Sequence, residues 1–216
     1  MPPVQADTAP SPIRRVREAE RKRQVILAAA LELFSRLGVD GTSLDRVAER
    51  ADMSKTNLIY YYPTKDALYE AVLNRVLSSW LTPLDEINTA NTPEQAIRRY
   101  VREKMIFSRD NAAASRLFCF EILHGAPALG GYLRETLRPV MAAKAEVFRY
   151  WIRTGQMAVV DPHQFLYSLW ATTQHFADFA SQIELLSDRT LDDPAFFEQS
   201  IDHVTQLFLA RIRLPD

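Results

Sequence analysis

The chain has 216 residues, 47% of them apolar and 25% charged, with one cysteine and a net charge of −1 from 26 basic and 27 acidic side chains. This composition excludes general disorder, an intramolecular disulfide and a membrane helix, since no apolar run approaches the roughly 18 residues that a span needs. Without the apolar core of a secretory signal, the expectation is a soluble cytoplasmic protein of one large domain or two small ones, with no membrane association.

Near-neutral charge gives no overall attraction to a polyanion, but the distribution is uneven. Arg14, Arg15, Arg17, Arg21, Lys22 and Arg23 oppose only Glu18 and Glu20, which fits either a polyanion-facing patch or the solvated start of a helix. Ahead of this run, residues 1–13 carry Pro2, Pro3, Pro10 and Pro12 with little apolar content and are predicted to be a flexible arm.

The spacing of Ile26, Ala29, Ala30, Leu33, Phe34 and Leu37 predicts a first helix that Gly38 terminates. A short second helix follows from the stripe Leu44, Val47, Ala48 and Ala51, with Thr42 and Asp45 as a capping pair ahead of it. Asp52, Met53 and Ser54 break the pattern, Ser54 caps a third helix from Lys55 to about Tyr61, and Pro63 stops it. Thr64 caps a fourth, longer helix with Leu68, Val72, Val76 and Trp80 on one side.

Beyond Pro83, helices are predicted at about 93–108, 112–124, 127–154, 162–182 and 194–212. Two of them open on Thr92-Pro93-Glu94-Gln95 and Asp161-Pro162-His163-Gln164, each with a cap, a first-turn proline and an amide. No stretch alternates with period two. The fold class is therefore all-α, with about nine helices.

A supporting helix, then a short helix, a three-residue turn and a second short helix have the proportions of a helix-turn-helix. Ser54, Lys55, Thr56 and Asn57 present hydrogen-bonding side chains at the start of the third helix, able to reach base edges in a major groove about 12 Å wide. Tyr60 and Tyr61 lie one turn on, within reach of phosphates, and Lys65 adds a charge beside the start of the fourth helix. Three helices that merely pack together and expose polar groups would look similar.

The run from Gly41 through Ser54-Lys55-Thr56-Asn57-Leu58-Ile59-Tyr60-Tyr61-Tyr62-Pro63-Thr64-Lys65 to Leu68 resembles the N-terminal domain of TetR-family transcriptional regulators. It departs from the commonest pattern at Asp52, where glycine is frequent, at Thr56, and at Tyr62, where phenylalanine is usual. The resemblance implies that Thr42, Ser43, Lys55, Thr56, Asn57, Tyr61 and Lys65 touch DNA, while Leu44, Val47, Leu58 and Tyr62 set the helix crossing. It also implies a homodimer on double-stranded operator DNA. The chain then divides into the arm at 1–13, a DNA-binding domain at 14–64 and a ligand-binding and dimerisation domain at 65–216.

In the larger half, Tyr167, Trp170, Gln174 and Asp178 follow one another at i, i+3, i+7 and i+11, a helical face that mixes aromatics with an amide and a carboxylate. Buried polar groups need partners, either other side chains or a ligand. With Trp80 as a second aromatic wall, the set suits a small planar heterocycle bearing N–H and C=O groups. Segments such as Ala114-Ser115-Arg116-Leu117-Phe118-Cys119 and Trp170-Ala171-Thr172-Thr173-Gln174-His175-Phe176-Ala177-Asp178 resemble the members of the family that respond to uracil-like pyrimidines. An acyl chain or a drug as effector, or a helical carrier without DNA, are the alternatives. Dimerisation is expected on the last two long helices, through Phe165, Leu169, Phe197, Ile201, Val204 and Phe208, the alternative being that these residues fill the subunit's own core.

No catalytic residue, metal or cofactor is expected. Glu121-Ile122-Leu123-His124 has a Glu-x-x-His spacing, but di-iron bundles need two such motifs and further carboxylates. His175, Asp178 and Ser181 share one helix and cannot converge as a hydrolytic set, and Cys119 lies in an apolar run as a packing thiol.

Overall fold

The computed structural model describes residues 12–213. Among them are ten helices and no strand: α1 (Pro12–Leu37), α2 (Leu44–Arg50), α3 (Lys55–Tyr61), α4 (Lys65–Leu81), α5 (Pro93–Asp110), α6 (Ala112–Leu123), α7 (Arg138–Arg153), α8 (Pro162–Asp178), α9 (Ala180–Ser187) and α10 (Pro194–Ile212). They form two compact units that divide between Val72 and Leu73, inside α4. Most of the predicted arm lies outside the described residues, but Pro12 and Ile13 belong to α1. Proline costs nothing there, because the first-turn N–H has no intrahelical partner.

In the first unit, α1 packs on α2 and α2 on α3, around Ile26, Ala30, Phe34, Val47, Leu58 and Leu68, all essentially buried. The Phe34 and Tyr69 rings meet edge to face at 5.3 Å, and Arg50 reaches Glu32 at 2.6 Å to tie α2 to α1. The cap of α2 is Ser43, whose hydroxyl accepts from the Arg46 N–H, rather than the predicted Thr42. Gly38 turns the chain off α1 at φ +71°, a left-handed conformation that needs no Cβ.

The turn between α2 and α3 is closed by the Met53 N–H donating to the Ala48 carbonyl at 3.0 Å. Asp52 adopts φ +52° in it, which short polar side chains tolerate better than branched ones. Asp52→Gly should therefore raise the thermal midpoint slightly, and Asp52→Val should cost about 1–2 kcal/mol. Chemical denaturation of both variants checks this; equal stability for valine and aspartate would contradict it.

The second unit is built around α5, which packs on both α8 and α10, while α6 and α7 also pack on α8. Its inward stripe, Ile97, Tyr100, Val101, Lys104, Met105 and Ser108, is buried. The capping box at Thr92 and Gln95 forms as the sequence suggests, with both reciprocal bonds. Asp161 likewise caps α8 by accepting from the N–H groups of His163 and Gln164.

Two helices differ from their predicted extents. The 127–154 segment begins as a helical turn at Gly130–Tyr132 and a π turn at Leu133–Leu137, because Pro139 cannot donate to the preceding turn, and its ring crowds the carbonyl below. The 162–182 segment breaks at Phe179, the C-cap of α8, with no glycine or proline to signal it. Phe165, Leu169, Phe197, Ile201, Val204 and Phe208, expected at a dimer interface, are instead buried within the chain, where they pack in the core around α5.

Candidate DNA-reading helix and effector site

The hydroxyl of Ser54 caps α3 by accepting from the Asn57 N–H at 3.2 Å, and Leu58 buries the helix's inner face. Lys55, Thr56 and Tyr60 are exposed and Asn57 is partly so; Tyr60 is 82% exposed. Lys55 donates to Asp45 at 2.8 Å, an exposed ion pair that contributes little and that a phosphate can displace. Tyr61 is half-buried, stacked edge-on to Tyr60 at 5.3 Å and covered by the Arg23 guanidinium at 5.7 Å. Ser43 is exposed at the start of α2.

Two sequence candidates also hold the fold together. Thr42 is 2% exposed and its hydroxyl donates to the Gly38 carbonyl at 2.8 Å, so its side chain fixes the α1–α2 turn. Lys65 is half-buried and donates to the Val39 carbonyl at 2.8 Å, pinning the same turn to the start of α4.

In the second unit, Asp178 at the end of α8 accepts from the Ser115 hydroxyl on α6 and from the Gln174 amide at 3.0 Å. Lys104 of α5, 4% exposed, lies over the Trp80 ring at 4.3 Å and is influenced through space by the charge of the same carboxylate. Trp80 is itself enclosed by Phe107 at 5.7 Å and Phe118 at 4.5 Å, both edge-on. Trp80, Gln174 and Asp178 thus belong to one cluster that Lys104 joins. Trp170 lies beside the buried Tyr100 phenol, and burial pushes that phenol well above its ordinary range. Tyr167 is 52% exposed, 6.5 Å from Trp170, and stands outside the enclosed set.

A model of the bacterial regulatory proteins of the tetR family matches residues 26–72, and one of the YcdC-like protein C-terminal region matches residues 73–215. The chain belongs to the TetR family. It is 43% identical over 200 residues to the HTH-type transcriptional regulator RutR of Escherichia coli, covering 93% of this chain and 94% of that one. It is also 30% identical over 143 residues to the HTH-type transcriptional repressor NicS of Pseudomonas putida, covering 66% of each. The fold matches a TetR-like regulator from Rhodococcus (TM-score 0.64, 20% identity, 87% and 93% covered). It also matches AibR, solved in complex with isovaleryl coenzyme A and operator DNA (TM-score 0.65, 19% identity, 86% and 97% covered).

This TetR-family chain is an effector-responsive, DNA-binding transcriptional regulator and not an enzyme. No helix among its described residues is long and apolar enough to cross a membrane. The carboxylate of Glu121, from the set-aside Glu-x-x-His spacing, is buried and accepts from the Ala128 and Leu129 N–H groups at 2.7 and 3.1 Å, which shapes the loop after α6. Burial and the neighbouring Asp178 push the Cys119 thiol up, which disfavours the reactive thiolate.

Sequence reading missed Lys104, Ser115, Phe107 and Phe118. The signal for Lys104 is its position, since a lysine at the inward spacing of Ile97, Tyr100, Val101 and Ser108 is rare unless paired. Burial pushes its ammonium down to about 8 from 10.5, and Asp178 offsets part of that. Below pH 8 both folded and unfolded chains hold the proton and the cost of burial is fully felt; between 8 and 10.5 the folded protein sheds it first, so stability rises with pH. Lys104→Met should stabilise the protein at pH 7 by on the order of 3 kcal/mol and flatten that rise. Urea unfolding at pH 7 and 10 checks it; a destabilised variant with the wild-type pH slope would contradict it.

Proposed function

We propose that the chain regulates pyrimidine utilization genes, with a uracil-like planar heterocycle bound at the Trp80, Lys104, Gln174 and Asp178 cluster altering its affinity for operator DNA. The observation that carries this reading is the partly buried polar group on α5, α6 and α8. It comprises a carboxylate with two donors, a buried ammonium and aromatic rings, in a chain similar to RutR over nearly its whole length. A purely apolar effector would leave the ammonium without an acceptor, which disfavours an acyl chain.

DNA is read by α3, through Lys55, Thr56 and Asn57 toward bases and Tyr60, Tyr61 and Ser43 toward phosphates, with Thr42 and Lys65 holding the turn behind them. Two such helices about 34–36 Å apart, one duplex turn, require a homodimer. The outward sides of α8 and α10 suit that pairing: Gln164, Ser168, Thr172, Leu207 and Arg211 line an open groove of about 540 Å³. Cytoplasmic residence on the nucleoid follows from this role. The helix α4 runs unbroken from Lys65 to Leu81 and is the covalent route between reader and effector cluster. The effector shifts DNA affinity only through its different affinity for the two arrangements.

Two substitutions separate the roles. Lys55→Ala should weaken DNA binding by about 1–3 kcal/mol and reduce the salt slope by about one, with uracil binding intact. Gln174→Ala should retain DNA and lose the response to uracil. Fluorescence anisotropy across a salt series, with and without uracil, reads both; a full uracil response in Gln174→Ala would remove the cluster from the effector role.

A further inference from the structure

The fold leaves the ammonium of Lys104 without an acceptor. The residue occupies the inward stripe of α5 at 4% exposure, with Nζ 4.3 Å from the Trp80 ring centroid and 5.7 Å from that of Phe107. Ring faces and the through-space charge of Asp178 are what the described residues set against it. Ring faces stabilise a cation only in part, and a methionine of similar length would fill the space without a charge to desolvate. The Trp80 indole N–H is a second buried donor without an acceptor.

Asp178 takes the Ser115 hydroxyl and the Gln174 amide and acts on Lys104 through space, which leaves the ammonium's N–H groups for a ligand oxygen. With its nitrogen turned to Asp178, Gln174 keeps its carbonyl oxygen for an N–H from elsewhere. The cluster therefore combines surplus donors at Lys104 and Trp80 with a surplus acceptor at Gln174. The complement of that set is a ring with a carbonyl oxygen and an N–H, as in a cyclic amide or imide.

We propose that Lys104 is the oxygen anchor of the effector, donating from Nζ to a carbonyl or carboxylate oxygen and thereby selecting oxo-pyrimidines over their amino counterparts. This rests on the reading of the cluster as the effector site and adds to it the feature that decides which ligands enter. An ammonium can only donate, so an amino group at the same position meets donor with donor and is rejected.

The test uses the full chain as wild type, Lys104→Met and Lys104→Gln, with uracil, cytosine and hexanoate as probes in calorimetry and thermal-shift measurements. The wild type should bind uracil more tightly than cytosine. Lys104→Met should lose about tenfold or more in uracil affinity, the range for a lost charge-assisted hydrogen bond, and Lys104→Gln should fall between. Both variants should keep a cooperative melt and bind DNA. Unchanged uracil affinity in both variants, or wild-type binding of cytosine as tight as uracil, overturns the anchor. Hexanoate binding that depends on Lys104 in a protein indifferent to uracil would sink the pyrimidine reading and leave the anchor standing; no binding of any probe to the wild type overturns both.

Discussion

A charge buried on α5 is the constraint around which the second unit is arranged. Desolvating an ammonium is unfavourable unless something answers it. What answers Lys104 is the face of Trp80 and the field of Asp178 from α8. That carboxylate is in turn held by Ser115 from α6 and Gln174 one turn back along α8. Removing Ser115 or Gln174 takes a donor from Asp178, and removing Asp178 takes the opposing charge from Lys104, so α5, α6 and α8 are coupled through a handful of side chains. Apolar packing around Tyr100, Phe148, Trp151 and Phe165 holds the helices together. The polar cluster, by contrast, is where we propose that the effector binds.

The first unit divides its labour in the opposite way. Its polar side chains work mostly at helix ends and turns: Ser43 and Ser54 as caps, Thr42 and Lys65 on backbone carbonyls, Arg50 on Glu32. These fix the angle at which α3 leaves the surface, and so free Lys55, Thr56 and Tyr60 to face outward. Their exposure gives them no strong partner in the protein, since the Lys55–Asp45 pair is itself exposed to solvent. A phosphate or base edge can therefore recruit them at little expense.

Much of this was legible in the sequence where one residue type has one use. Thr92-Pro93-Glu94-Gln95, Asp161-Pro162, Ser54 and Gly38 each named a helix end, because caps and left-handed turns admit few side chains. Less legible was anything set by a distant partner. Thr42 has the chemistry of a DNA contact, yet its hydroxyl is taken by Gly38. The apolar stripe of α8 and α10 matched a dimer interface as well as it matches the core around α5, because periodicity marks which face is buried and not what buries it. Gln174 and Asp178 stand out in the sequence as polar groups on a half-apolar face, but Ser115 and Lys104 come from helices more than 60 residues upstream, a pairing no local pattern encodes. The break at Phe179 depends on tertiary packing and carries no local sign.

The account stands on a single dependence: what occupies the cluster beside Trp80 and Asp178 governs how α3 meets DNA. Selection of fragments from the source genome on the purified protein, with and without uracil, measures that dependence without assuming an operator. The account predicts a small set of related near-palindromic fragments whose retention changes sharply when uracil is added. Identical recovery of those fragments in both conditions would contradict it.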